Sequence, residues 1–588
     1  MCILYVLSVY GIINVQTDGG VNMELRIDGH RIQAETGQSL LDLIRVLGLD
    51  SNELSKRPLA AKLAGEVFNL NYVPVRSADA QADRISIRRA MAASNGNVTL
   101  LRYSDPAGRD VYERSVQFLL FLALHRLWPR ARAKMNCTVG RALYIEVRDE
   151  SFSVPMLKKE IQSLVAQDTP LLRRRIPLSV AVQHYQTDGQ LDKARLLSWR
   201  KQDYFDEYFY GEFADYYYGE LVPSMGYLQV WDIIPVDGGF MFLFPDDNLP
   251  DSVARYEEMP RFLQVSTEGE RWCELMGCES VADLNALVQD GKIRELIRVN
   301  EALHEKRYSQ VADMVCDRCA KAVMLAGPSS SGKTTSANRL ATQLRVHGKK
   351  PVLISLDDYY IDRDKILPGP DGNLDLEHLD TIDTALFREH FLKLLNGDNV
   401  SLPSFNFKTG KREWHGENLQ LDEKSVIIIE GLHALNPVLL PDALDKKLVF
   451  KLYVSPLLPL NLDDHNRIPT SLLRLLRRIV RDYETRGASV EKTISMWDSV
   501  RRGEKKWIFP FQEQSDVIFN SSTLYELAVL KKHIYPLLTK VQPEDGCYDE
   551  VRAIVKILNY VLEANVDDEI PPTSLVREFI GGNTFYIK

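Results

Sequence analysis

The run Gly327-Pro328-Ser329-Ser330-Ser331-Gly332-Lys333-Thr334-Thr335 has the spacing G-x4-G-K-T-T, preceded by a short apolar stretch at 321–326 and followed by a helical pattern to Val346. Such glycines let backbone N–H groups turn inward around phosphate oxygens, and the helix that follows points its positive dipole end at them. Lys333 would reach the β/γ-phosphates and the Thr334 hydroxyl would ligate Mg²⁺. All nine residues are therefore candidate nucleotide-binding positions. A P-loop specifies a nucleotide and leaves the reaction open, so neighbouring carboxylates have to decide the chemistry. The run at 351–356 (ProValLeuIleSerLeu) reads as a buried strand ending in Asp357-Asp358, and the run at 425–429 (SerValIleIleIle) ends in Glu430-Gly431. In a parallel sheet both acids emerge at the edge where the P-loop lies. Glu430 is then a second anchor for Mg²⁺, and Asp357 is placed to take a proton from an acceptor hydroxyl.

A cationic stretch accompanies them. Residues 467–506 hold eleven Lys/Arg and five Asp/Glu, a local +6 within a chain whose 72 basic and 81 acidic residues leave −9. Arg474, Arg477, Arg478 and Arg481 fall at i, i+3, i+4 and i+7, one stripe of a helix, with Leu472, Leu475, Leu476 and Ile479 expected on the other face. Phosphoryl transfer depends on positioning and on cations around the moving group, so beside a P-loop this stripe reads as functional.

The elements that must hold these groups come from a chain of 588 residues, enough for several domains. With 45% hydrophobic and 26% charged residues it is an ordinary folded protein, and its net charge excludes a globally basic nucleic-acid coat. Seven scattered cysteines resemble reduced cytosolic usage. The lone Cys316-x-x-Cys319 reads as two thiols on a helix, because no second pair stands at zinc-binding spacing. The apolar stretch at 3–15 is short for a bilayer span and no Lys or Arg precedes it. The chain therefore reads as cytoplasmic, without a membrane partner. Met23 opens a better-patterned segment, and residues 1–22 are set aside as an extension consistent with an upstream start.

Residues 23–92 pattern as strand, hairpin turn at Asp28-Gly29, strand, a helix capped by Ser39, and short strands near 60–70 and 85–88, a small β-grasp module. Through the run at 60–70 (AlaAlaLysLeuAlaGlyGluValPheAsnLeu) it resembles the TGS domain of threonyl-tRNA synthetases. Residues 93–250 resemble the second additional domain of those enzymes, through the helix opened by ArgSerValGlnPheLeuLeu at 114–120. That family's editing site has HxxxH and CxxxH metal ligands; here none of the 11 histidines stands four from another or four after a cysteine, and Arg114 and Phe118 hold the HxxxH places. The tyrosine-rich run at 204–219 reads mainly as packing, with stacking on RNA as the alternative, since Asp203, Asp206, Glu207, Glu212, Asp215 and Glu220 surround it. Residues 251–318 read as a helical connector.

The C-terminal domain, set at 319–588, resembles the uridine kinase and phosphoribulokinase family over about residues 319–540. The likeness rests on the P-loop, SerLeuAspAspTyrTyr (355–360), LeuProSerPheAsnPheLysThrGlyLysArg (402–412), ValIleIleIleGluGlyLeuHis (426–433) and ArgLeuLeuArgArgIleValArgAsp (474–482). It implies a doubly wound parallel α/β fold, with ATP held by residues 327–335 and a magnesium shell including Thr334 and Glu430. It further implies Asp357 as catalytic base beside Lys333, Tyr360 at the acceptor site, and Arg474 and Arg477 as catalytic and phosphate-binding groups of a lid shared with Arg478 and Arg481. One of Asp375, Glu377 and Asp380 would hold ribose hydroxyls. Phe405 and Gly410 stand where uridine kinases carry Tyr and His against the pyrimidine, while Arg412 matches. Phe405 and Phe407 could still stack on a base, and a His at 410 is expected to shift preference toward uridine where the backbone follows the family.

The expectation is thus a multidomain α/β and α+β chain whose P-loop region transfers phosphoryl from ATP, with Mg²⁺, to a hydroxyl, foremost the 5′-hydroxyl of a nucleoside. A sugar or sugar-phosphate acceptor is the alternative within the family. An RNA-binding or regulatory protein with a nucleotide switch is the alternative from another class, and it would need neither an acceptor-site base nor an arginine lid. Oligomeric state is left open by the sequence.

Overall fold

A computed structural model of the chain describes residues 23–63, 65–74, 96–366, 377–441, 444–542 and 544–585. Asp375 and the strand expected at 85–88 lie outside these residues. The chain divides into two compact units, one drawn from residues up to 134, 138–176 and 204–256, the other from 135–137, 177–203 and 257–588.

In the first unit, β1 (Met23–Ile27) and β2 (His30–Ala34) form the expected hairpin, turned by Asp28 at φ +46° and Gly29 at φ +86°. Leu25 and Ile27 alternate into the core. Ser39 caps the helix Leu40–Val46 through a reciprocal capping box with Asp42. Beyond β3 (Ala60–Leu63) and β4 (Glu66–Phe68), the sheet is closed by β5 (Asn97–Leu101), which pairs parallel with β1 and antiparallel with β3. The sheet order is β2-β1-β5-β3-β4. The expected boundary at 92 falls short of this closing strand, because Val98 and Leu100 complete the same core as Leu25 and Leu43.

The helix Pro106–Leu127 leads to β6 (Arg132–Val139), β7 (Ala142–Arg148), β8 (Leu172–Pro177), β9 (Tyr204–Tyr210), β10 (Phe213–Asp215), β11 (Asp232–Val236) and β12 (Gly239–Leu243). These strands form one sheet ordered β11-β12-β7-β6 and another ordered β10-β9-β8. The Arg114 guanidinium donates to the Glu220 carbonyl, and the Phe118 ring is buried against Tyr208, Phe213 and Tyr217. Phe205, Tyr208, Phe213 and Tyr216 are buried, so much of the tyrosine-rich run faces inward, while Tyr204 is exposed.

The second unit is built on a parallel sheet, β14-β17-β13-β18-β21, from β13 (Ala322–Ala326), β14 (Lys350–Ser355), β17 (Ser425–Glu430), β18 (Val449–Ser455) and β21 (Val517–Asn520). β17 reads SVIIIE and is buried throughout, as a parallel strand covered on both faces should be. Two hairpins leave this frame, β15 (Val400–Asn406) with β16 (Lys411–Leu419), and β19 (Asn461–Asp463) with β20 (Asn466–Arg467).

Two expectations are corrected here. The helices Pro260–Met276, Val281–Gln289 and Ile293–Asp317 belong to this second unit and not to a separate connector. Tyr308, Val311, Ala312 and Val315 share one core with Val323, Leu340 and Phe450. Their spacing is a narrow apolar stripe within a polar run, which average composition hides. The helix Thr470–Arg486 does not leave its arginine stripe open: Arg474, Arg477 and Arg478 are buried like Leu473 and Leu476, Arg474 and Arg477 against Glu504 and Glu526 of neighbouring elements and Arg478 against Asp482 one turn along its own helix. Among the described residues no helix is long and apolar enough to cross a membrane.

Candidate active site

The P-loop joins the C-terminal end of β13 to the helix Lys333–Val346. Its turn demands its residues. A Cβ on Gly327 would lie 2.1 Å from the Val454 carbonyl oxygen, and Gly332 sits at φ +85°. Ser330 takes φ +58°, a strained conformation held from outside. The Ser521 hydroxyl donates to the Ser331 carbonyl at 2.6 Å, and an Arg477 N–H donates to the Ser330 carbonyl at 3.3 Å. These two bonds hold the carbonyls of Ser330 and Ser331 from outside the loop. Lys333 Nζ lies at the loop, donating to the Pro328 carbonyl at 3.2 Å.

The two strand-end acids arrive as expected. β14 and β17 pair in register with Ser355 opposite Glu430, and β13 pairs Leu325 with Glu430, so Glu430 stands at the same edge as the loop. The Thr334 hydroxyl donates to Glu430 Oε1 at 3.3 Å and the Ser355 hydroxyl to the same oxygen at 3.4 Å. Burial, and after it the charge of Asp357, pushes the Glu430 carboxyl up to about 7. Asp357 begins the short turn after β14 and accepts a hydrogen bond from the Tyr360 hydroxyl. Burial raises its pKa while Lys333 and Arg486 pull it back. Two carboxyls so placed beside one lysine resist carrying two full negative charges at once, which keeps both pKa values raised.

The acceptor-side candidates separate clearly. Tyr360, Phe405 and Phe407 pack edge to face, with ring centroids 5.5 Å apart for Tyr360–Phe405, 6.4 Å for Tyr360–Phe407 and 5.2 Å for Phe405–Phe407. Phe405 is buried and Phe407 exposed. Arg412 turns away from this cluster, donating to the Tyr360 carbonyl at 3.1 Å and Asp383 at 3.0 Å. It holds the backbone between Asp357 and the β15–β16 hairpin. Glu377 is pushed up to about 7 by burial and next by Glu504, with Arg478 and Lys333 acting in the opposite sense. Asp380 is not brought to the site; its side chain is 89% exposed beside His378. Gly410 takes φ +69° in the hairpin turn, and a Cβ there would lie 3.0 Å from Arg363 Cβ.

Arg474 reaches the loop through Glu504, whereas Arg477 and Arg478 touch it directly. Arg474 donates to Glu504 Oε2 at 2.9 and 2.5 Å, and Glu504 Oε1 accepts the Ser329 N–H at 2.8 Å. Arg478 donates to the Ser329 hydroxyl at 2.9 Å. Arg477, 0% exposed, is bidentate to Glu526 and donates to the Ser330 and Ser521 carbonyls. Arg481 bonds to Asp482. Glu504 lies inside the basic stretch, where its sign was the one available signal.

Residues 322–528 match the model of the phosphoribulokinase/uridine kinase family. A uridine kinase from Brevibacillus brevis is 30% identical over 195 residues, 33% of this chain and 81% of that protein. The chain belongs to the phosphoribulokinase/uridine kinase family. A uridine kinase from Staphylococcus haemolyticus is 29% identical over 219 residues, 37% of this chain and 96% of its own. A solved D-glycerate 3-kinase from Cryptococcus neoformans aligns with 34% of this chain and 87% of its own at 15% identity and a TM-score of 0.24. The protein is an ATP-dependent kinase, and the family region spans the P-loop, both strand-end acids and the arginine helix.

Proposed function

We propose that this kinase transfers the γ-phosphoryl group of ATP to the 5′-hydroxyl of a nucleoside, with Asp357 as the general base. The observation that carries this reading is the company Asp357 keeps: Lys333 and Glu430 on the loop side, and Tyr360 with Phe405 and Phe407 on the other. A carboxylate between a phosphate cradle and an aromatic wall is suited to deprotonating the hydroxyl of a ligand that also carries a flat ring. A pentose phosphate would leave that wall unused, so the wall favours a nucleoside over the sugar acceptor.

The nine P-loop residues cradle the phosphates. Thr334 and Glu430 suit Mg²⁺, which takes oxygen donors and usually binds through one or two carboxylates plus substrate phosphates. Bound there, Mg²⁺ supplies charge neutralisation on the β- and γ-oxygens. Glu377, buried near Lys333 and Asp357, is the acid best placed for ribose hydroxyls. Arg474 and Arg478 supply positive charge beside Ser329. Arg477 has its donors taken by Glu526 and by loop and strand carbonyls, so we assign it as a positioning residue of the loop and not as a catalytic one. In the first unit, the sheet order with one capped helix across it supports a β-grasp, TGS-like reading of residues 23–101. RNA recognition there would draw on exposed side chains such as Tyr204 and little on the buried aromatics of the same run.

The test is Asp357→Asn. It is expected to bind ATP with wild-type affinity and to lower kcat at least ~100-fold, the lower range for a lost general base. Loss of ATP affinity with kcat intact would move Asp357 to the nucleotide side and refute the assignment.

A further inference from the structure

The segment 571–583, beyond the 322–528 stretch that matches the family, is docked on the P-loop. Leu575, Val576 and Phe579 are each 0% exposed. Leu575 lies against Gly332, where a Cβ would come within 2.4 Å of its Cδ2, and the Phe579 ring centroid is 4.9 Å from the Arg477 guanidinium carbon. The Ser574 and Tyr525 hydroxyls each donate to Glu301 Oε1 at 2.7 Å, tying the segment down at its start.

This docking places Glu578 on the first turn of the P-loop helix. One carboxylate oxygen accepts the Thr335 N–H at 3.3 Å and the Thr335 hydroxyl at 2.6 Å, and the Asn583 amide donates to the same hydroxyl at 3.4 Å. Thr335 is the third residue of that helix, so its N–H has no partner within the helix. In a P-loop such N–H groups bind the oxygens of the α- and β-phosphates. A carboxylate oxygen there has the charge and the acceptor geometry of a phosphate oxygen.

We propose that the C-terminal segment is an intramolecular competitor of ATP, with the Glu578 carboxylate occupying the place of a nucleotide phosphate oxygen on Thr335. The proposal rests on the P-loop reading above. A segment that holds the site closed reduces apparent ATP affinity by the fraction of molecules in which it is docked. ATP must lift Glu578 from Thr335 to bind, and anything that draws the segment away raises affinity for ATP. The device is a built-in threshold on nucleotide occupancy.

The experiment measures Mg·ATP binding to the full-length protein by calorimetry for wild type, Glu578→Ala, Glu578→Gln and Lys333→Ala. Hydrogen exchange over 571–583 is followed with and without saturating ATP. Both Glu578 variants are expected to bind ATP about tenfold tighter, the scale of one charged hydrogen bond removed from competition. In the wild type, ATP should speed exchange across 571–583, a readout that needs no variant to fold. Unchanged or weaker binding in the Glu578 variants, or slower exchange with ATP, overturns the competitor. If Lys333→Ala loses ATP binding in the same series, the P-loop reading survives that loss; if Lys333→Ala binds ATP like the wild type, the underlying reading has failed and the competitor with it.

Discussion

At the scale of single residues, the site stores electrostatic tension that nucleotide and metal would release. Glu430 ordinarily titrates near 4.5 and is pushed up to about 7 in the fold. Between those values the unfolded chain has lost this proton while the folded one still holds it, so this group makes stability fall as pH rises through the window. Glu430→Gln removes that dependence. The difference in melting temperature, variant minus wild type, is therefore expected to grow from pH 5 to pH 8 in protein free of nucleotide and Mg²⁺. Thermal unfolding across that range checks it, and a gap that is flat or shrinks would deny the raised pKa. Asp357 and Glu430 were legible because each ends an apolar strand beside a local motif. Glu504 and Glu578 were not, since they contact the loop across 175 and 243 residues of sequence and only tertiary docking brings them there.

At the scale of elements, the β15–β16 hairpin decides what can read an acceptor ring. Gly410 accepts φ +69° and lies against Arg363, so the family's His cannot be restored there without strain. Gly410→His is expected to lower stability by more than ~1 kcal/mol, the cost of a side chain at an incompatible φ, and to give no specific gain for uridine. Urea denaturation and paired nucleoside kinetics test both halves. The gain expected from the sequence held only where the backbone accepts a histidine, and φ +69° at Gly410 disfavours that condition, because a one-residue match to a motif carries no φ value. The arginine helix teaches the same lesson. Its stripe lies where the spacing put it, but two arginines expected to bind phosphate, Arg474 and Arg477, are paired with Glu504 and Glu526.

At the scale of the molecule, the kinase core starts earlier than its motifs. A chain beginning at Cys319 would lose Tyr308, Val311, Ala312 and Val315 from the core around Val323 and Leu340. Losing even one large buried side chain costs about 2–5 kcal/mol, against a typical total stability of ~5–15 kcal/mol. That shortened chain is expected to be unfolded or aggregated, which circular dichroism and gel filtration would reveal; a folded, active product would show the helix Ile293–Asp317 to be dispensable. The parallel sheet and its P-loop were readable from apolar runs and glycine spacing, whereas the boundaries at 92 and 318 were not, because both depend on which distant strand or helix closes a core. Phosphoryl transfer to a nucleoside is tested by product identification with the full-length protein. Phosphorus NMR would follow Mg·ATP incubated separately with uridine, cytidine, adenosine, guanosine, ribose and ribulose 5-phosphate. Nucleoside 5′-monophosphates are expected, with kcat/KM for uridine no higher than for the best other nucleoside; phosphate appearing on ribose or ribulose 5-phosphate and on no nucleoside would refute transfer to a nucleoside.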